Sequence, residues 1–277
     1  MKHTQINVQA ASFPGYFRWI YITFFFIAFI IYGNSINNEY SLDDEIVIND
    51  PLVQKGVKAI PELFTSHYYK DRRSEFGYRP IVKVSYSIEY SVFGSKHHVS
   101  HFINIIFYAI ASCLLFYMLS LLFNTINILF PFVVTLLFIA HPLHTEVVCS
   151  LKNRDVLFSF IGSMCAFIFY LKFAHTKRLH YLLLGMLGLV FAGFSKEDSA
   201  VYALIIPFSL FYFKKVSGRE LLMVILSIVL LQPAGVLFQN YIVDQGVHHT
   251  LLYFENPLFQ DTGWWQRMPM GFFPKNT

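Results

Sequence analysis

The chain has 277 residues, 55% of them hydrophobic and only 14% charged, with a formal net charge of +4 and a mean hydropathy of +0.49. That is more apolar surface than a soluble domain can cover with polar groups, so lipid must be its main solvent. The basic residues lie between apolar runs without forming a stripe, which sets nucleic acid aside as a partner.

Apolar runs approaching the roughly 20 residues that cross about 30 Å of hydrocarbon as helix predict an all-α integral membrane protein. They place about seven membrane helices near 16–33, 101–123, 126–141, 155–173, 179–195, 199–213 and 220–242. None of these runs alternates with the period of two that a membrane barrel strand shows. Two are short, 126–141 and 199–213, and Pro131, Pro207 and Pro233 are candidate kinks. The first run, Phe17 to Tyr32, leads into Gly33-Asn34-Ser35 without a clear cleavage pattern and reads as a retained anchor. Cys113, Cys149 and Cys165 form no CxxC pair and read as buried free thiols. No period of 20 to 50 residues marks a repeat array.

Basic residues predict the orientation. With residues 1–15 cytoplasmic, Lys2, Arg18, Lys172, Lys177, Arg178, Lys214, Lys215 and Arg219 all fall inside, with Glu220 almost their only acid. The short outer links instead mix signs, as in Lys152, Arg154 and Asp155. Residues 34–100 are then a large first extracytoplasmic loop, 101–242 a six-helix membrane region, and 243–277 an extracytoplasmic tail. Within the loop, Ile81, Val84, Ile88 and Val92 predict an amphipathic helix lying on the membrane surface.

Every polar cluster falls on the predicted outer side, where helix ends can converge on a substrate with an apolar tail and a charged head. Asp43 and Asp44 can divide labour, one taking a proton from a hydroxyl while its neighbour orients it or binds a metal; a solvated turn explains them equally simply. His141, His144 and Glu146 offer two nitrogens and an oxygen to a sugar, a phosphate or a divalent cation, with Asp44, His144 and Glu146 as a candidate metal set; polar residues meeting headgroups are the bland alternative. Arg79, Arg154 and Lys196 are candidate phosphate partners, and Asp155 and Glu197 join His141, His144 and Glu146 as groups that could support an acceptor, a sugar or a metal, although an interfacial ion pair or a polar turn accounts for each alone. Tyr40, Tyr68, Tyr69, Tyr78 and Tyr86 read first as interface anchors and second as platforms for sugar faces.

Five segments carry a resemblance: Tyr40-Ser41-Leu42-Asp43-Asp44, Tyr78-Arg79-Pro80, His141-Pro142-Leu143-His144-Thr145-Glu146, Asn153-Arg154-Asp155 and Ser195-Lys196-Glu197. In order and spacing, over about residues 16–240, they resemble the transmembrane and tetratricopeptide-repeat O-mannosyltransferases and their bacterial relatives. The resemblance implies a GT-C fold whose catalysis lies at the outer membrane boundary. It implies a polyprenyl- or dolichyl-phosphate sugar donor, often mannose, and a protein or glycan acceptor. Asp43 and Asp44 match the family's acidic motif, which implies an inverting transfer in which a carboxylate deprotonates the acceptor hydroxyl. The membrane implied is the cell inner membrane in a bacterium and the endoplasmic reticulum in a eukaryote. Such enzymes continue into further membrane helices and helical repeats, so a truncated product is an expectation here. The competing readings are a multi-pass transporter or lipid-handling protein, and a non-catalytic membrane scaffold.

Overall fold

The computed structural model describes residues 15, 17–41, 43–70, 75–123, 127–213 and 216–242. Lys2, Leu42, Arg72, Arg73, Lys214, Lys215 and the tail 243–277 lie outside the described residues. The fold is all-α apart from one antiparallel pair of two-residue strands, β1 (Tyr69–Lys70) and β2 (Glu75–Phe76).

All seven predicted runs are helices: α1 (Phe17–Tyr32), α6 (His97–Leu122), α7 (Leu129–Ile139), α9 (Arg154–Thr176), α10 (Leu179–Gly193), α11 (Tyr202–Tyr212) and α12 (Gly218–Ile242). Among the described residues, three segments are long and apolar enough to cross a membrane: Phe17–Asn37, His97–Leu122 and Arg154–Thr176. The helices leave rows of large apolar side chains exposed, among them Trp19, Phe26 and Ile30 on α1 and Leu204, Phe208 and Phe211 on α11. Patches of this kind are stable only against lipid or another protein surface. Pro131 sits in the first turn of α7, where its missing N–H costs nothing, whereas Pro207 is inside α11.

Helix α9 is the axis of the bundle. Its small residues allow α10 to approach at backbone distance: a Cβ on Gly162 would stand 2.9 Å from Gly188 O, and one on Gly188 2.8 Å from Ala166 N. Between membrane helices such close packing replaces the hydrophobic drive that lipid removes. One core gathers Phe167, Tyr170, Leu171, Ile206 and Val224 at one end of α9. A second joins α1 to α6 through Phe24, Ala28, Ile105 and Phe116. The three cysteines are free and half-buried.

The segment between α1 and α6 folds as short helices, α2 (Glu45–Ile48), α3 (Pro51–Gln54) and α4 (Ile60–Leu63), packed on α5 (Pro80–Phe93). Asp50 starts α3 by accepting the Leu52 N–H at 2.7 Å, with Pro51 preset for the first helical position. Helix α5 is where predicted, and its buried face carries charged as well as apolar side chains. Val82, Lys83, Tyr86 and Glu89 point into the protein, while Ile88 and Val92 are exposed. Lys83 is held inside by Asp50 Oδ2 at 2.5 Å and by His67 O at 2.7 Å, so the burial is compensated. Tyr68, Tyr78 and Tyr86, read from sequence as headgroup anchors, are instead buried within this segment.

Candidate active site

Two turns bring the acidic motif to the start of α9. Asp44 is 1% exposed, and its Oδ2 accepts the Ser41 N–H at 2.9 Å and the Ser41 hydroxyl at 2.8 Å. Its Oδ1 accepts the Lys152 N–H at 2.8 Å and the Ser150 hydroxyl at 3.4 Å. Asp44 therefore ties the chain after the first helix to the turn before α9, and its oxygens are spent on protein donors. Asp43 is the neighbour left outward, with a side chain 59% exposed and Oδ2 2.7 Å from Lys152 Nζ. The paired carboxylates thus divide into one buried fastener and one exposed group.

A second cluster joins three helix ends. Arg79, just before α5, gives Nη1 to Asp155 Oδ2 at 2.5 Å, and Nη2 and Nε to Glu197 Oε1 and Oε2 at 2.8 and 3.3 Å. Lys196 Nζ is 3.7 Å from Asp155 Oδ1. Gly77, at φ +70, makes this possible: it turns the chain where a Cβ would stand 3.2 Å from Tyr68 Cβ, and its carbonyl accepts the Tyr68 N–H at 2.8 Å. The Arg79 guanidinium then lies 5.0 Å over the Tyr68 ring. Burial works against the Glu197 carboxylate, but the Arg79 bond outweighs it and holds that carboxyl below its ordinary range.

The two clusters are neighbours along α9, because Asp44 is bonded to Ser150 and Lys152 in the turn just before Asp155. The structure therefore brings together Asp43, Asp44, Arg79, Asp155, Lys196 and Glu197.

It does not bring Arg154 with them. Arg154 is 0% exposed, with Nη1 2.8 Å from Glu89 Oε2 and Nε 2.7 Å from Asn104 Oδ1. Its Nη2 donates to Ser100 O at 3.1 Å, and the guanidinium stacks 3.8 Å above Tyr86. This corrects the phosphate-binding expectation at that position: the cation is sealed between α5, α6 and α9, where one carboxylate already neutralises it. Glu89 also accepts a hydrogen bond from the Ser100 hydroxyl.

The histidine motif is separate again. His144 Nδ1 lies 2.7 Å from Phe138 O and 2.8 Å from the Tyr108 hydroxyl, fastening α8 (His144–Cys149) to the middle of α6 and the end of α7. Burial holds its imidazole below the usual pKa, against the Phe138 bond and with help from His141. His141 and Glu146 are exposed. Among the described residues no three His, Cys, Asp or Glu side chains converge as a metal requires. The candidate set Asp44, His144 and Glu146 thus does not fit a cation, and no step below runs through one.

Sequence reasoning missed Glu89 and Asn104, and read Tyr68 as an interface anchor or sugar platform. The only available signal was on α5, where Lys83, Tyr86 and Glu89 follow helical spacing on one face.

Comparison with known proteins finds similarity to protein O-mannosyl-transferases, as the five motifs led one to expect. The chain is 28% identical over 155 residues to Protein O-mannosyl-transferase F38B6.6 of Caenorhabditis elegans, a stretch covering 53% of this chain and 22% of that protein. It is 27% identical over 148 residues to Protein O-mannosyl-transferase TMTC1 of Homo sapiens, covering 51% and 16%. Protein O-mannosyl-transferase TMTC4 of Homo sapiens is 24% identical over 252 residues, covering 79% and 34%. The matched region thus spans between about a sixth and a third of these relatives' own lengths. No family model matches the chain, and no solved structure does.

Proposed function

We propose that this chain is membrane-embedded machinery of a glycosyltransferase that moves a hexose, mannose first among the candidates, from a polyprenyl- or dolichyl-phosphate carrier to a hydroxyl of a protein or glycan. The names of the similar proteins support the reaction class. The observation that supports the site is the exposed Asp43 carboxylate standing on the Asp44 fastener, in one charged neighbourhood with Arg79 and Lys196.

In this reading Asp43 takes the proton of the acceptor hydroxyl as its oxygen attacks the anomeric carbon from the face opposite the phosphate. The new carbon–oxygen bond forms while the bond to the phosphate breaks, and the electron pair leaves with the phosphate. Arg79 and Lys196 meet that charge, in geometry held beforehand by Asp155. The carrier's apolar tail stays in the bilayer beside the exposed rows of the helices. The reaction then lies on the outer or lumenal face, at the bacterial inner membrane or the endoplasmic reticulum membrane.

The test is transfer from dolichyl-phosphate mannose to a serine- and threonine-rich peptide by the chain reconstituted in liposomes. Asp43→Asn is expected to lower the rate by about 100-fold or more. Equal rates for Asp43→Asn and the parent chain remove Asp43 as the base, and no transfer by either sinks the activity.

A further inference from the structure

Among the described residues, three tyrosines are buried in the segment between the first two long helices, and two of them have partners. The Tyr86 hydroxyl donates to Leu151 O at 2.5 Å and that of Tyr78 to Phe64 O at 2.8 Å. The third, Tyr68, is 2% exposed, and its hydroxyl has no hydrogen-bond partner among the described residues. A buried hydroxyl left in that state destabilises the fold, and phenylalanine would fill the same space without the cost. A ligand acceptor at that hydroxyl would remove the cost.

The surroundings say what kind. Arg79 Nη1 and Nη2 each carry two hydrogens and donate one to Asp155 and one to Glu197, leaving one apiece. Lys196 Nζ, 3.7 Å from both Asp155 and the exposed Asp198, is beyond hydrogen-bond length of either. Glu197, 64% exposed, is the anion now seated on the Arg79 fork, and its exposure lets it swing away. Burial first, and then the Asp155 carboxylate, push the Tyr68 ionisation far above its ordinary range, so the hydroxyl keeps its proton. These are unspent cationic and neutral donors around one anion position.

We propose that the Tyr68 hydroxyl hydrogen-bonds the phosphate of a polyprenyl-phosphate ligand, beside Arg79 and Lys196, in place of Glu197. The assignment rests on the glycosyl-transfer reading above and adds a binding residue to it.

The experiment measures binding, without sugar transfer. The full chain and Tyr68→Phe, each in nanodiscs, are titrated with radiolabelled dolichyl phosphate and with dolichol lacking the phosphate, and melted by circular dichroism. The expected result is binding of dolichyl phosphate about tenfold weaker in Tyr68→Phe, equal weak binding of dolichol, and a melting temperature unchanged or raised. Equal dolichyl phosphate binding by both chains overturns the role of Tyr68 and leaves the transferase reading standing. A parallel drop in dolichol binding or in melting temperature makes Tyr68 a packing residue and overturns it too. If the parent chain binds dolichol and dolichyl phosphate alike, the phosphate-carrier reading falls, and this proposal with it. An excess of inorganic phosphate is expected to leave lipid binding intact; displacement by it means that the site takes free phosphate and overturns the lipid assignment.

Discussion

Lys152 donates its backbone N–H to Asp44 Oδ1 at 2.8 Å, across a sequence separation that spans most of the segment between the first two long helices and the whole of the second. Two adjacent carboxylates therefore have different expected phenotypes. Asp44→Ala strands the Ser41 and Lys152 N–H groups and is expected to cost about 2–4 kcal/mol, read as a lower melting temperature. Asp43→Asn is expected to leave the melt unchanged and to remove transfer. The split fails if both variants melt alike.

Arg154 and Glu89 are each other's only neutralising charge in a sealed site. Removing one partner leaves the other buried and unpaired, at about 3–5 kcal/mol. Glu89→Leu or Arg154→Leu is thus expected to unfold more easily, whereas the double replacement recovers much of the loss. Thermal unfolding of the three variants forms the cycle, and additive losses would show that the pair is not coupled.

Arg79 ties three helix ends together, so its removal has a different signature from that of Glu197. Arg79→Ala is expected to abolish dolichyl phosphate binding and lower the melt, because Asp155 is left buried beside Lys196 alone. Glu197→Gln is expected to tighten that binding by clearing the Arg79 fork, with little effect on the melt. Weaker binding in Glu197→Gln contradicts the exchange.

His144 makes stability depend on pH. Its folded pKa is depressed, so the unfolded chain binds the proton that the folded chain refuses. Stability is therefore intact above the ordinary imidazole value of 6.5 and lost as pH falls below it. The melting temperature is expected to drop between pH 7 and pH 5 and to drop less in His144→Gln, which keeps a hydrogen-bonding side chain beside Tyr108. Identical slopes for the two chains reject His144 as the cause.

Gly188 has no room for a side chain against α9. Gly188→Leu is expected to force α9 and α10 apart at about 1–3 kcal/mol or more, detected as loss of the folded fraction after detergent extraction. Leu187→Ala, one residue away on the exposed face, is the control and is expected to be nearly neutral.

How much of this was legible beforehand differs by residue. The apolar runs located all seven helices, because crossing or lining a bilayer demands long uninterrupted apolar helix and little else satisfies it. The order of the acidic, arginine, histidine and lysine motifs pointed to one face and to one class of relatives. Which cation stays within reach of a ligand did not follow: Arg79 and Arg154 are both arginines at helix starts. Arg154 is sealed against Glu89, folded back from α5, whereas Arg79 is part-exposed and paired with the exposed Glu197. Asp43 and Asp44 are likewise equivalent in sequence, and the Ser150 to Lys152 turn, distant along the chain, makes one a fastener. The amphipathic reading of α5 found the helix but not the charges on its buried face, since burying Lys83 and Glu89 needs partners that periodicity does not reveal.

The sequence by itself determined the solvent, the helices and the inventory of charged groups, because these follow from local composition and period. The tertiary structure alone decided which of those charges cancel each other, which remain available to a ligand, and which tyrosine lacks a partner. Pairing depends on distances between segments far apart in the chain, and those distances exist only after the helices have packed.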